Sequence, residues 1–137
     1  MIKLIAVGDI NIGSDKSFIQ KISYNLDLSN NFKNADICFA NLEGPITNAG
    51  YEPINGDFGL YSEFGMLKFL KNYGINLVSL ANNHISDYGP ICVEFTVDFL
   101  KENNIKYFGW GKNIYDILNP NILEVNGLKL GLIAFTF

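Results

Sequence analysis

The chain has 137 residues, 48% of them hydrophobic and 18% charged, and a net charge of −4. That is one domain's worth of protein, long enough for a core of its own, with no apolar run near the roughly 18 residues needed to cross a bilayer. All ten basic residues are lysines scattered along the chain, so there is no basic stripe and no arginine fork, and nucleic acid is excluded as an expected partner.

Residues 2–7 form a near-continuous aliphatic run that predicts a first strand buried on both faces. The start of the chain reads as this strand entering a polar turn, without the long apolar region and small-residue cleavage site of a signal peptide. The expectation is a soluble, cytoplasmic chain that meets a membrane only through a complex. Residues 14–24 carry Phe18, Ile19 and Ile22 at helical spacing, and residues 26–35 read as a polar loop or a weak helix. A second strand is expected over 37–40, then an irregular loop over 47–60 marked by Gly50, Pro53, Gly56 and Gly59.

The first strong helix spans 63–73, with Met66, Phe69, Leu70 and Tyr73 on one face and Gly74 suited to the position after its end. A strand at 75–80 follows. The second strong helix spans 90–103, with Pro90 in its first turn and Ile91, Phe95, Phe99 and Leu100 expected to face inward. A strand at 105–108 and a hairpin over 122–135 turning at Asn126-Gly127 complete the pattern. Strand and helix alternate, which predicts an α/β layered fold: a largely parallel sheet flanked by helices and closed by an antiparallel pair. Cys38 and Cys92 stand alone in apolar surroundings and read as buried free thiols.

Three apolar runs end in an acid or amide: Gly8-Asp9 after the first, Asn41-Leu42-Glu43-Gly44 after the second, and Leu80-Ala81-Asn82-Asn83-His84 after the third. In parallel α/β folds, sites gather at the carboxyl ends of strands. Taken singly, each has an ordinary reading: Asp9 as a turn or helix-capping aspartate, Glu43 as a loop acid paired with a lysine, and Asn83-His84 as a capping turn. Read together on one sheet edge they favour chemistry. Carboxylates and an amide carbonyl suit a hard metal, and the chain's single histidine suits proton transfer. Gly109-Trp110-Gly111-Lys112-Asn113 lacks the spacing of a P-loop, and Gly8–Gly13 lacks that of a dinucleotide fingerprint.

These motifs resemble the CapA family, the poly-γ-glutamate capsule biosynthesis proteins, whose fold is similar to the calcineurin-like metallophosphoesterases. The resemblance rests on Gly8-Asp9, on Asn41-Leu42-Glu43-Gly44-Pro45-Ile46-Thr47, on Ala81-Asn82-Asn83-His84 with Asp87-Tyr88-Gly89, and on Gly109–Asn113 and the Glu124–Gly127 turn. It implies a divalent metal pair (Mn, Fe or Zn), with Asp9 as a ligand, Glu43 in place of a bridging carboxylate and Asn83 on the second metal. It makes His84 the proton donor or transition-state stabiliser and gives Asn11, Asn41, Asn82 and Asp87 supporting places.

Asn11 stands where related phosphoesterases carry a histidine ligand, and no second histidine exists in the chain. A complete two-metal site cannot be built from these residues. The expectation is a single but incomplete domain, 1–137, resembling half of the four-layer α/β/β/α fold and inactive when isolated. Its partners would be the missing C-terminal half or another chain, a phosphate-containing or polyglutamate ligand, and, through an open apolar sheet face, copies of itself. A mean hydropathy of +0.13 and an apolar ending at 132–137 fit that view. The alternative is a non-catalytic binding or assembly module using the same cleft. A flavodoxin-like domain would explain the strand order but not the acids at three strand exits.

Overall fold

A computed structural model describes residues 1–13, 26–47, 51–54, 56, 58–119 and 121–137. The helix expected over 14–24 lies outside the described residues. The elements are β1 (Leu4–Ile10), α1 (Leu26–Lys33), β2 (Ile37–Leu42), α2 (Met66–Asn72), β3 (Leu77–Ser79), α3 (Pro90–Glu102), β4 (Lys106–Phe108), α4 (Ile114–Leu118), β5 (Asn121–Val125) and β6 (Leu128–Leu132). The four strands β1-β2-β3-β4 lie in that order, all parallel, so the expected α/β class with a parallel sheet is the observed one.

Helices cover one face of this sheet and the hairpin covers the other. On the helical side, Cys38, Ala40, Leu42 and Val78 from the strands pack with Met66, Leu70 and Tyr73 of α2 and its end and with Val93, Val97 and Leu100 of α3. Each fully buried aliphatic side chain here contributes about 1.5–3 kcal/mol. On the opposite side, Ile37, Leu77 and Phe108 pack with Phe39 and with Leu123, Val125, Leu130 and Leu132 of the hairpin.

Several expectations need correction. β1 is an edge strand with alternating half-buried and exposed residues, and not a strand covered on both faces; it also runs on through Asp9 to Ile10. Of the two forms expected for residues 26–35, a polar loop or a weak helix, the chain takes the helix, α1. On α3 the buried stripe is Cys92, Val93, Thr96, Val97 and Leu100, whereas Ile91 and Phe95 are 61% and 46% exposed and Phe99 is half-buried. Glu94, Asp98, Lys101 and Glu102 mark the outer side of this helix, and Ile91 and Phe95 lie on that side, so the charged stripe in the sequence points to the opposite face as the inner one. Cys92, Val93, Thr96, Val97 and Leu100 face the sheet, while Ile91 and Phe95 stay outside.

The hairpin does not extend the main sheet but forms a two-stranded sheet of its own. Its turn is as expected: Asn126 at φ 50° and Gly127 at φ 78° give the left-handed pair that matches strand twist. The hairpin also fills the sheet face that was expected to stay open. Apolar exposure moves to its far side and tail, where Ile133 is 73% and Phe135 is 84% exposed. The helix α4 was missed. Asn113 begins it, its side chain accepting the N–H groups of Tyr115 and Asp116, and that cap was the available signal. Cys38 and Cys92 are both free and buried, as expected, and burial pushes the Cys38 thiol up. Among the described residues, no helix is long and apolar enough to cross a membrane.

Candidate functional site

The ends of β1, β2 and β3 bring the predicted residues to one edge. Along β1 the pairing slips: Ala6 lies opposite Phe39, but Asp9 lies opposite Asn41, three residues on one strand against two on the other. The slip is of the β-bulge kind and falls within Val7-Gly8. It has a consequence for chemistry. Ile5 and Val7 face the helical core and strict alternation would send Asp9 there too; after the slip it is Ile10 that joins the core, and Asp9 turns to the side of Asn41.

Asn41 is the centre of the cluster. Its Nδ2 donates to Asp9 Oδ1 at 2.7 Å and to Glu43 Oε2 at 3.2 Å, so one amide group serves two carboxylates. Glu43 is drawn into a partly buried place beside a like charge: desolvation first, and then Asp9, hold its carboxyl above the usual range, with His84 and Asn41 pulling the other way. The chain can turn sharply after Glu43 because Gly44 has φ 79° and lies against the Leu60 backbone, leaving no room for a side chain. Asn11, expected near the site, reaches it by donating from Nδ2 to the Glu43 carbonyl at 2.7 Å.

His84 enters from the turn after β3. Asp87 Oδ2 lies 2.9 Å from His84 Nδ1. A carboxylate only accepts, so Nδ1 donates, and Nε2 is left facing Glu43 Oε1 at 3.9 Å. The Leu60 backbone N–H donates to the same Asp87 Oδ2 at 2.8 Å, so the carboxylate that holds the His84 ring is itself held from the 47–60 loop. Asn82 is buried and bonds to both strand exits, whereas Asn83 is exposed and its side chain makes no hydrogen bond among the described residues.

Asp9, Asn11, Asn41, Asn82, Glu43, His84 and Asp87 are therefore brought together, and Asn83 lies at the exposed side of the turn. Sequence reading missed what pins the segments that follow Glu43 and Asp9. Thr96 Oγ1 accepts from the Ile46 N–H at 2.8 Å, and Ser62 Oγ accepts from the Ile12 N–H at 3.1 Å. Both contacts join residues 50 positions apart, and no local pattern announces them.

Asp9 and Glu43 offer hard oxygen atoms already facing one polar group, which suits a divalent cation. Among the described residues, no three histidine, cysteine, aspartate or glutamate side chains gather on one point. The carboxylate pair fits part of one coordination shell, and the second ion has no such ligand set among these side chains.

The family described as bacterial capsule synthesis protein PGA_cap matches residues 3–137. The chain is 30% identical to the capsule biosynthesis protein CapA of Bacillus anthracis over 95% of its own length and 33% of that protein's. It is 26% identical to the PGA biosynthesis protein CapA of Bacillus subtilis (strain 168), over 77% of its own length and 28% of that protein's. The chain thus spans about a third of the length of the curated relatives it matches.

Proposed function

The chain belongs to the bacterial capsule synthesis protein family PGA_cap, and from that premise we propose that its strand-exit cluster is a divalent-metal site of phosphoesterase type serving capsule or polyglutamate biosynthesis. The observation that carries the reading is the pair Asp9 and Glu43, two carboxylates sharing the Asn41 amide, with His84 Nε2 3.9 Å from Glu43. Like charges held this close and partly buried gain most from a cation between them.

In this reading Asp9 and Glu43 hold the ion and Asn83 offers its carbonyl oxygen from the exposed turn. Mn, Fe or Zn would suit such donors, and a second ion would draw ligands from outside the described side chains. The bound metal supplies Lewis-acid polarisation of a phosphoryl oxygen. The protein's own groups do the rest. Asp87 fixes the His84 ring through Nδ1, leaving Nε2 to give a proton to the leaving oxygen or to stabilise charge there. Asn41 keeps both carboxylates aimed at the same point. The ligand would be a phosphate-containing group or the polyglutamate itself. Exposed Ile133 and Phe135 would be covered by the rest of the protein or by a partner chain.

The test uses the natural full-length protein, with Mn titrated calorimetrically and phosphoester hydrolysis assayed in parallel. Asp9→Ala or Glu43→Ala should weaken Mn binding by about 100-fold or more, beyond what loss of a supporting residue does. His84→Ala should keep the affinity and lower turnover by about 10²–10⁴-fold. Unchanged affinity in both carboxylate variants would overturn the metal assignment. With side chains here for only part of one ion's shell and none gathered for a second ion, a second reading is a non-catalytic binding or assembly module that uses the same cleft. Intact Mn binding with no phosphoester turnover would select it.

A further inference from the structure

We propose that Asn82 is the positioning residue of this site, setting through Asn41 which polar atom faces the Asp9–Glu43 pair; the inference rests on the metal reading above. Asn82 is 8% exposed and uses its whole hydrogen-bonding capacity. Its Oδ1 accepts from the backbone N–H groups of His84 at 3.1 Å and Gly44 at 3.4 Å. Its Nδ2 donates to the Leu42 carbonyl at 2.8 Å and to Asn41 Oδ1 at 3.2 Å.

The backbone partners leave no choice of orientation. Two N–H groups can only meet the oxygen of Asn82, and a carbonyl can only meet its nitrogen, so the amide cannot be turned over. Its second N–H is then presented to Asn41, which must answer with Oδ1. Once that oxygen is engaged, only Nδ2 of Asn41 remains to face Asp9 and Glu43. A fixed backbone pattern at two strand exits is thus relayed, through two side-chain amides, into a donor aimed at two carboxylates. Without the relay, Asn41 is free to rotate and set its oxygen against them, repelling Asp9 and Glu43 from a common aim. Asn82 touches neither carboxylate and acts through its neighbour. Outer partners of this kind tune metal affinity about 10–100-fold when removed.

The test is a double-mutant cycle on Mn affinity in the full-length protein, with thermal stability measured alongside. Asn82→Ala should weaken Mn binding about 10–100-fold although Asp9 and Glu43 are intact. Asn41→Ala should do the same, and the double variant should be no worse than Asn41→Ala alone, because both changes break one relay. As a control, Asn76→Ala removes an asparagine that bridges backbone groups at the other end of the sheet and should leave Mn affinity unchanged. Additive losses in the cycle, wild-type affinity in Asn82→Ala, or an equal loss in Asn76→Ala would each overturn the proposal. Where Asn82→Ala does not fold, Asn82→Asp keeps the two accepted bonds and loses the donated ones, and it enters the same cycle. If the wild-type protein binds no Mn, the metal reading fails by itself, and hydrogen exchange then decides the relay. Asn82→Ala should deprotect the Gly44 and His84 amides and free the Asn41 side-chain NH₂, and unchanged protection would overturn it.

Discussion

The two ends of the parallel sheet are built from the same materials and behave oppositely. At each end an asparagine bridges neighbouring segments. Asn76 accepts the Cys38 N–H and donates to the Asp36 carbonyl; Asn82 accepts the Gly44 and His84 N–H groups and donates to Leu42 and Asn41. At each end an acid stands beside that bridge, but the surroundings of the two acids differ. Asp36 is exposed and receives the Lys3 backbone N–H at 2.8 Å and the Asn126 side chain at 2.8 Å, and these donors hold its carboxyl below the ordinary value. Glu43 is desolvated beside Asp9, and its carboxyl is raised. An acid satisfied by N–H donors closes a structure, here tying the hairpin turn to the start of β2. An acid left facing another acid is a structural cost that a cation would relieve, which makes the carboxyl end the place to look for function.

This contrast can be broken by removing the bridge at the quiet end. Asn76→Ala leaves the Cys38 N–H and the Asp36 carbonyl without their side-chain partner and should lower unfolding stability by about 1–3 kcal/mol in denaturant titration. A change in metal affinity in that variant would show that the two ends are not separable.

A smaller effect sharpens the comparison through pH. The raised Glu43 carboxyl favours the folded state while protonated, so its contribution is fully present below the unfolded value near 4.5 and is lost as pH rises through the higher folded value. Without added metal, Glu43→Gln should therefore raise Tm by a few degrees at pH 7, and the gain should shrink to nothing below the ordinary glutamate range. Asp36 has the opposite sign. Its lowered carboxyl stabilises the fold above the unfolded value of 3.8, and that contribution is lost as pH falls through the folded value. Asp36→Asn should lower Tm slightly at pH 7 and converge with the wild type in acid, the smallest of these effects because the group is solvent-exposed. Thermal scans of both variants from acid to neutral pH should give difference curves of opposite slope, and parallel curves would refute the contrast.

Sequence pattern alone determined the alternation of strand and helix, the Asn126-Gly127 turn, the burial of both cysteines, and the family whose motifs sit at the strand exits. Those properties are written in spacings of a few residues: runs of aliphatic side chains, turn dipeptides, and acids or amides that follow them. The cap at Asn113 was equally local and was overlooked. Tertiary structure decided what depends on residues far apart. It laid the hairpin over the second sheet face as a separate layer. It turned Asp9 out of the helical core by a slip of register against β2, because alternation fixes a side only as long as the pairing stays in step. It also joined Asn41, Asn82 and Glu43 into one directed network, since hydrogen-bond partners are set by position in space and not by place in the chain.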